Sequence, residues 1–187
     1  AVTTVFLVRH AHSEWSRGEA RSLSRVGAAS AARLAARLAN EPITAVYSST
    51  SLRAVETVAP LAERLDLEIT MVEQLRERDV PEVLLSEFDD MIRKAWQSPD
   101  GGPPGVESNI HAQTRGVGVL QKILARHPDQ HIVIATHGNL MALIMNGLDR
   151  SYDYDFWRRL SFPDVDRLTL DGDRLKSVEH AWEVGDR

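Results

Sequence analysis

The stretch TVFLVRHAHSEW, residues 4–15, decides the fold. Val5, Phe6, Leu7 and Val8 form an unbroken apolar run with no polar alternation. That pattern predicts a strand covered on both faces, as in the interior of a parallel sheet. Arg9 and His10 follow immediately. In open α/β sheets ligands bind beyond the carboxyl ends of the strands, so a guanidinium beside an imidazole at that point marks an anion site.

Working outward, residues 13–21 are polar, contain Gly18 and read as a loop forming one wall of the site. From 24 to 40 an Ala-rich segment places Val26, Ala31, Leu34 and Leu38 near one helix face, and Pro42 stops it. TAVYS (44–48) returns as a strand, and Ser49, Thr50 and Ser51 offer N-caps to a helix carrying Leu52, Val55, Val58, Leu61 and Leu65. Arg53 then falls in its first turn. Residues 67–72 give a short strand that delivers Glu77 just beyond its end.

Residues 81–96 read as a helix and SPDGGPPG (98–105) as a loop, so that about 78–105 forms a small lid inserted over the sheet. A crossover helix over 106–126, a buried strand HIVIA (131–135) and the strand-to-helix junction THGNLMALIMNGL (136–148) follow. His137 and Gly138 lie at that junction, where the N–H groups of a helix start would help to bind an anion. Runs at 165–170 and 175–178, joined at Asp171-Gly172, predict a terminal hairpin. The whole reads as one domain over 1–187: a three-layer α/β/α sandwich around a mostly parallel sheet.

Composition limits what such a domain does. The net charge of −5 argues against a nucleic-acid footprint, so positive charge in a cleft must be local. The absence of cysteine excludes disulfides, thiolate metal sites and a thiol nucleophile. No apolar run approaches the roughly 20 residues that cross a bilayer, and the N-terminus lacks a signal-peptide pattern; a cytoplasmic protein without a membrane partner is expected.

Arg9 and His10, Arg53, Glu77 and His137 each follow a different strand, and in a parallel sheet those ends share one rim. Two guanidiniums offer forked donors to a phosphoryl group, and two imidazoles supply a nucleophile and a further contact. At this point the chain resembles the histidine phosphatase superfamily, also called the phosphoglycerate mutase-like family. LVRHAHSEW stands where that family has its Arg-His-Gly signature, and LSRVGAASAARLAARL resembles its first helix. YSSTSLRAVETV, LRER and IATHGNLMALI resemble the segments with its second phosphate-binding Arg, its acidic proton donor and its second His.

The resemblance implies that His10 attacks phosphorus and becomes phosphohistidine, while Arg9, Arg53 and His137 hold the phosphoryl oxygens. Glu77 then protonates the leaving oxygen and activates water, with no metal or organic cofactor. Phosphoryl transfer depends mainly on positioning and electrostatic stabilisation, which two arginines can provide. The roles require His10 unprotonated and Glu77 protonated. Free groups titrate at about 6.5 and 4.3, so a bell-shaped pH–rate profile and environmental tuning are expected.

The chain departs from the family pattern at three places in its first loop. Ala11 replaces the signature Gly, which is costly only if the backbone there is left-handed. His12 stands where many relatives have Glu, and Ser16 where many have a phosphate-contacting Asn; Ser16 still offers one hydrogen bond. PGVES (104–108) and Arg115 match family segments expected to be structural.

The short lid, without the long basic insertion of cofactor-dependent mutases, leaves water access to a phosphoenzyme and favours phosphate-monoester hydrolysis, as in histidine acid phosphatases. The alternatives are mutase-type phosphoryl transfer and a catalytically weak phospho-ligand-binding regulatory protein. His10-Ala11-His12 also fits a His-x-His metal pattern, though zinc needs further ligands. The expected partner is a small phosphorylated substrate, with phosphoproteins and the oligomeric state left open. Met141, Met145, Trp96, Phe156, Trp157 and Trp182 read as packing or surface residues, and His111, His127, His131 and His180 as structural or exposed.

Overall fold

The computed structural model describes residues 1–15, 20–80 and 87–183. Among these residues, six strands form one sheet: β1 (Val2–Arg9), β2 (Ile43–Ser48), β3 (Ile69–Met71), β4 (His131–Thr136), β5 (Asp164–Asp171) and β6 (Arg174–His180). Their spatial order is β3-β2-β4-β1-β5-β6. The first four of that order are parallel, and β5 and β6 add an antiparallel hairpin beside β1.

The apolar run of β1 is shared between two cores. Val5 and Leu7 enter the cluster beneath α4 (Asn109–Arg126) and α5 (Gly138–Leu148), with Ile132 and Ile134 of β4. Phe6 and Val8 enter the opposite cluster beneath α1 (Arg25–Leu38) and α2 (Leu52–Arg64), with Val133 and Ala135. Each such side chain contributes about 1.5–3 kcal/mol by leaving water, so both faces of β1 are locked. Met141 and Met145 are fully buried in the first cluster, and Trp182 is buried in the second.

Register explains why distant residues meet. Arg9 pairs with Thr136, and Ser48 pairs with both Ala135 and Met71. The ends of β1, β2 and β4 are therefore level, and His10, Ser49 and His137 are the first residues beyond them. Beyond β3, a 3-10 turn at Glu73–Leu75 leads the chain back toward this rim, where Thr136 Oγ1 donates to the Leu75 carbonyl at 2.7 Å.

Several boundaries differ from the sequence expectation. Within the expected 81–96 helix, residues 81–86 lie outside the described residues, and α3 spans Phe88–Gln97. The crossover helix begins at Asn109 rather than 106, because Ser108 caps it by accepting from the His111 N–H. The hairpin turns at Gly172-Asp173, with Gly172 at φ +59°. A helix that periodicity did not suggest, α6 (Tyr154–Arg159), is held at its start by Asp153, which accepts from the Asp155 N–H. It packs on α3 through Phe88 and Trp157, whose rings are 6.2 Å apart. No described helix is long and apolar enough to cross a membrane.

Candidate active site

The turn after β1 is fixed by its backbone. The His10 N–H donates to the Thr136 carbonyl at 3.0 Å, and the Ala11 N–H donates to Thr57 Oγ1 at 2.8 Å. Ala11 is fully buried and is not among the non-glycine residues with positive φ, so replacement of the signature glycine carries no left-handed strain.

His10 Nδ1 lies 2.7 Å from the Ala11 carbonyl, which can only accept. The Nδ1 position therefore carries the proton, and Nε2 keeps its lone pair. Burial, opposed by the Ala11 hydrogen bond and reinforced by Arg53, Arg9 and Arg21, pushes His10 down to about 3. The buried ring is therefore neutral near pH 7.

Arg9 is held from behind. Its Nη1 donates to the Leu160 carbonyl at 3.0 Å, and its Cζ lies 3.6 Å from the centre of the Phe162 ring. Burial lowers its pKa to about 10, against the pull of Glu77 and Asp164, so it remains a cation at neutral pH. Its opposite side faces the start of α5 so closely that a Cβ on Gly138 would stand 2.7 Å from Nη2 and 2.8 Å from Cζ and Nε. Gly138 is thus needed for the fit of Arg9 to the helix start.

Arg53 and His137 meet across the rim, with Arg53 Nη2 3.3 Å from His137 Nδ1. A guanidinium only donates, so His137 Nδ1 accepts and its Nε2–H donates to Ser49 Oγ at 2.8 Å. Burial, then the fields of His10, Arg53, Arg21 and Arg9, hold His137 well below the usual 6.5. The two imidazoles are 5.1 Å apart between centroids. Ser49, fully buried, entered the sequence reading only as one of three cap candidates, yet its hydroxyl takes the proton that Arg53 leaves on His137 Nε2 and so holds the ring in place.

Glu77 arrives at the same rim, but its carboxylate occupies the helix start that the sequence reading offered to an external anion. Oε2 accepts from the Asn139 N–H and Oε1 from the Leu140 N–H, both at 2.9 Å. The Arg78 N–H also donates to Oε1, at 2.8 Å. Free N–H groups at an α-helix start attract negative charge, and here the chain supplies its own. Oε2, with one of these three bonds, retains lone-pair capacity for a proton.

The segment bearing Glu77 is itself clamped by Arg115. The Arg115 guanidinium donates to the carbonyls of Gln74, Arg76 and Glu77, at 2.8, 2.8 and 3.0 Å. It also forms a two-pronged pair with Glu107, with both contacts at 2.8 Å. Burial would raise the Glu107 pKa, but hydrogen bonds from Arg115, the Asp79 N–H and His111 outweigh it and hold the group at about 2. The structural expectation for PGVES and Arg115 thus acquires a specific object, the Glu77 segment.

Arg9, His10, Arg53, Glu77, His137 and Gly138 all border one cavity of about 780 Å³. Trp15 and Arg21 from the first loop, Phe88 of α3 and Phe162 complete much of its wall. Phe88 brings the lid segment to the site. His12 Nδ1 is 2.7 Å from Ser24 Oγ, and Ser24 in turn caps α1. His10 and His12 therefore direct their Nδ1 atoms to different partners, and among the described residues no group of three or more His, Asp or Glu side chains could hold a metal ion. Ser16 lies outside the described residues.

Comparison with known proteins identifies the family. The chain is 28% identical over 169 residues to phosphoserine phosphatase 1 of Hydrogenobacter thermophilus, covering 81% of this chain and 80% of that one. It is 29% identical over 167 residues to a metal-independent phosphoserine phosphatase of Arabidopsis thaliana, covering 76% and 67% respectively. Among solved structures, YhfR of Bacillus stearothermophilus superposes with a TM-score of 0.82 at 27% identity, over 97% of this chain and 98% of that one. The family model of the histidine phosphatase superfamily (branch 1) matches residues 5–183, and the chain belongs to that superfamily.

Proposed function

We propose that this protein is a phosphatase that hydrolyses small phosphate monoesters through a phosphohistidine on His10, without a metal ion. The observation that carries the reading is the buried His10, with Nδ1 bound to a carbonyl, Nε2 free, and Arg9 and Arg53 beside it. Nε2 attacks phosphorus as the bond from phosphorus to the ester oxygen breaks. The leaving oxygen takes its proton from Glu77. Water then attacks the phosphohistidine and gives a proton to Glu77, the N–P bond breaks, and inorganic phosphate leaves.

The guanidiniums of Arg9 and Arg53 stabilise the equatorial oxygens, the task that metal ions perform in other phosphoryl-transfer enzymes. A small substrate is supported by the cavity of about 780 Å³ and by the phosphoserine phosphatases among the relatives. The test is phosphate release from phosphoserine and p-nitrophenyl phosphate in the presence of EDTA, with wild type and His10→Ala. Turnover that survives EDTA and vanishes in the variant is expected. Isomerised product without free phosphate would instead assign mutase chemistry, and tight phosphate-ester binding with no turnover would assign a binding protein.

A further inference from the structure

A second recess, of about 410 Å³, opens between α6 and the β5–β6 hairpin. Phe156, Leu160 and Val178 give it apolar walls, and Asp166 lies on its lining. Asp166 is 3% exposed, and its Oδ2 is buried with no hydrogen-bond partner. A buried carboxylate oxygen without a donor is a costly arrangement unless something supplies one.

The charged and titratable neighbours do not supply it. Asp164, two residues earlier on β5, has its carboxylate filled by the Ser161 and Val165 N–H groups and by His180 Nε2 at 2.7 Å. His180 of β6 is therefore engaged elsewhere. Arg159 of α6 uses its Nε on the Asp155 carbonyl. Tyr152, before α6, is the remaining titratable group on the lining and makes no hydrogen bond to Asp166. Burial and the neighbouring Asp164, opposed by His180, raise the Asp166 pKa to about 6, the direction expected of a carboxyl that lacks a donor or a cation beside it.

We propose that this recess binds an organic ammonium compound whose –NH3⁺ group pairs with Asp166 and whose apolar body lies on Phe156, Leu160 and Val178. Pockets that hold small ligands combine apolar walls with a few placed polar groups, and this recess has that make-up. Arg159 on the same lining admits either a simple amine or an amino acid whose carboxylate it would meet. Binding is read by calorimetry and not by turnover, so its failure is distinguishable from failure of the phosphatase reading.

The experiment is calorimetric titration near neutral pH with phenethylamine, L-phenylalanine and, as the acid lacking the amine, 3-phenylpropionate. Wild type is expected to bind phenethylamine, L-phenylalanine or both, and not the acid; their ranking separates the amine from the amino-acid source. Asp166→Asn should weaken binding at least about tenfold, the scale of a lost charge-assisted hydrogen bond. Val178→Trp, which fills the recess from the exposed hairpin, should abolish it and serves as the decisive variant if Asp166→Asn does not fold. No binding of either ammonium compound up to about 20 mM, a strength too weak for a formed site, would overturn the assignment. Binding unchanged in both variants, or equal binding of the acid, would overturn it as well.

Discussion

Replacing Gly138 with Ala tests how tightly the Arg9 guanidinium is seated. The new methyl would fall 2.7–2.8 Å from three atoms of the Arg9 guanidinium, against the 3.4 Å at which ordinary contact begins. Arg9 must therefore retreat by about 0.7 Å, and its contacts with Leu160 and Phe162 oppose that movement. The retreat is toward Phe162, already 3.6 Å from Cζ, and it stretches the 3.0 Å bond to Leu160. The helix backbone itself accepts Ala, since Gly138 does not have a positive φ.

Misplacement by about 1 Å at a reacting centre costs up to about 10²-fold in rate, or about 2.7 kcal/mol. Overpacking also costs roughly 1–3 kcal/mol of stability. The assay is kcat/KM on p-nitrophenyl phosphate beside a thermal melt. A Gly138→Ala protein with kcat/KM within about threefold of wild type and an unchanged melting temperature would refute the close-fit argument.

Three further outcomes follow from the same contacts. His10 and His137 are held below 6.5 in the fold, so the unfolded chain binds more protons as pH falls below about 6.5; stability should be unaffected by these groups above that value and decline below it, by up to about 1.4 kcal/mol per pH unit for His10 down to about 3, with His137 acting in the same direction. Melting temperatures measured across this range should fall on acidification, and less steeply in His10→Asn. Arg115→Ala strips the Glu77 segment of its clamp and leaves Glu107 buried without its guanidinium, which should cost about 3 kcal/mol in urea unfolding and lower kcat more than it changes KM. Ser49→Ala removes the acceptor of the His137 Nε2–H, worth about 1 kcal/mol, so kcat/KM should fall roughly fivefold while Ser49→Thr retains part of it.

The residues legible in sequence were those announced by a local pattern. A doubly buried strand followed by Arg9-His10, a capped helix with Arg53 in its first turn, and a strand-to-helix junction at His137 each carry their signal within a dozen residues. The parallel sheet with level ends then brings them to one rim. Glu77 and Arg9 were themselves legible, and what escaped were their contacts, which depend on partners far along the chain. Glu77 meets the N–H groups of Asn139 and Leu140, 62 and 63 positions away, and Arg9 meets Leu160 at a separation of 151. The six residues of α6 are too few to display a helical period, so the helix and Phe162 behind it left no mark in the pattern.

The antiparallel direction of β5 has a consequence for how much chain the chemistry needs. The parallel strands deliver residues after their ends, whereas β5 delivers them before its beginning, and its first residue, Asp164, lies beside Arg9. A fragment cut after α5 would keep Arg9, His10, Arg53, Glu77 and His137, and an inventory of motifs would score it as intact. It would nonetheless lack the carbonyl and the ring on which Arg9 rests, and β1 would become an open sheet edge. Completeness of the reactive set and competence of the site are separate properties in this architecture, and the stretch from Leu160 to Asp164 is where they part.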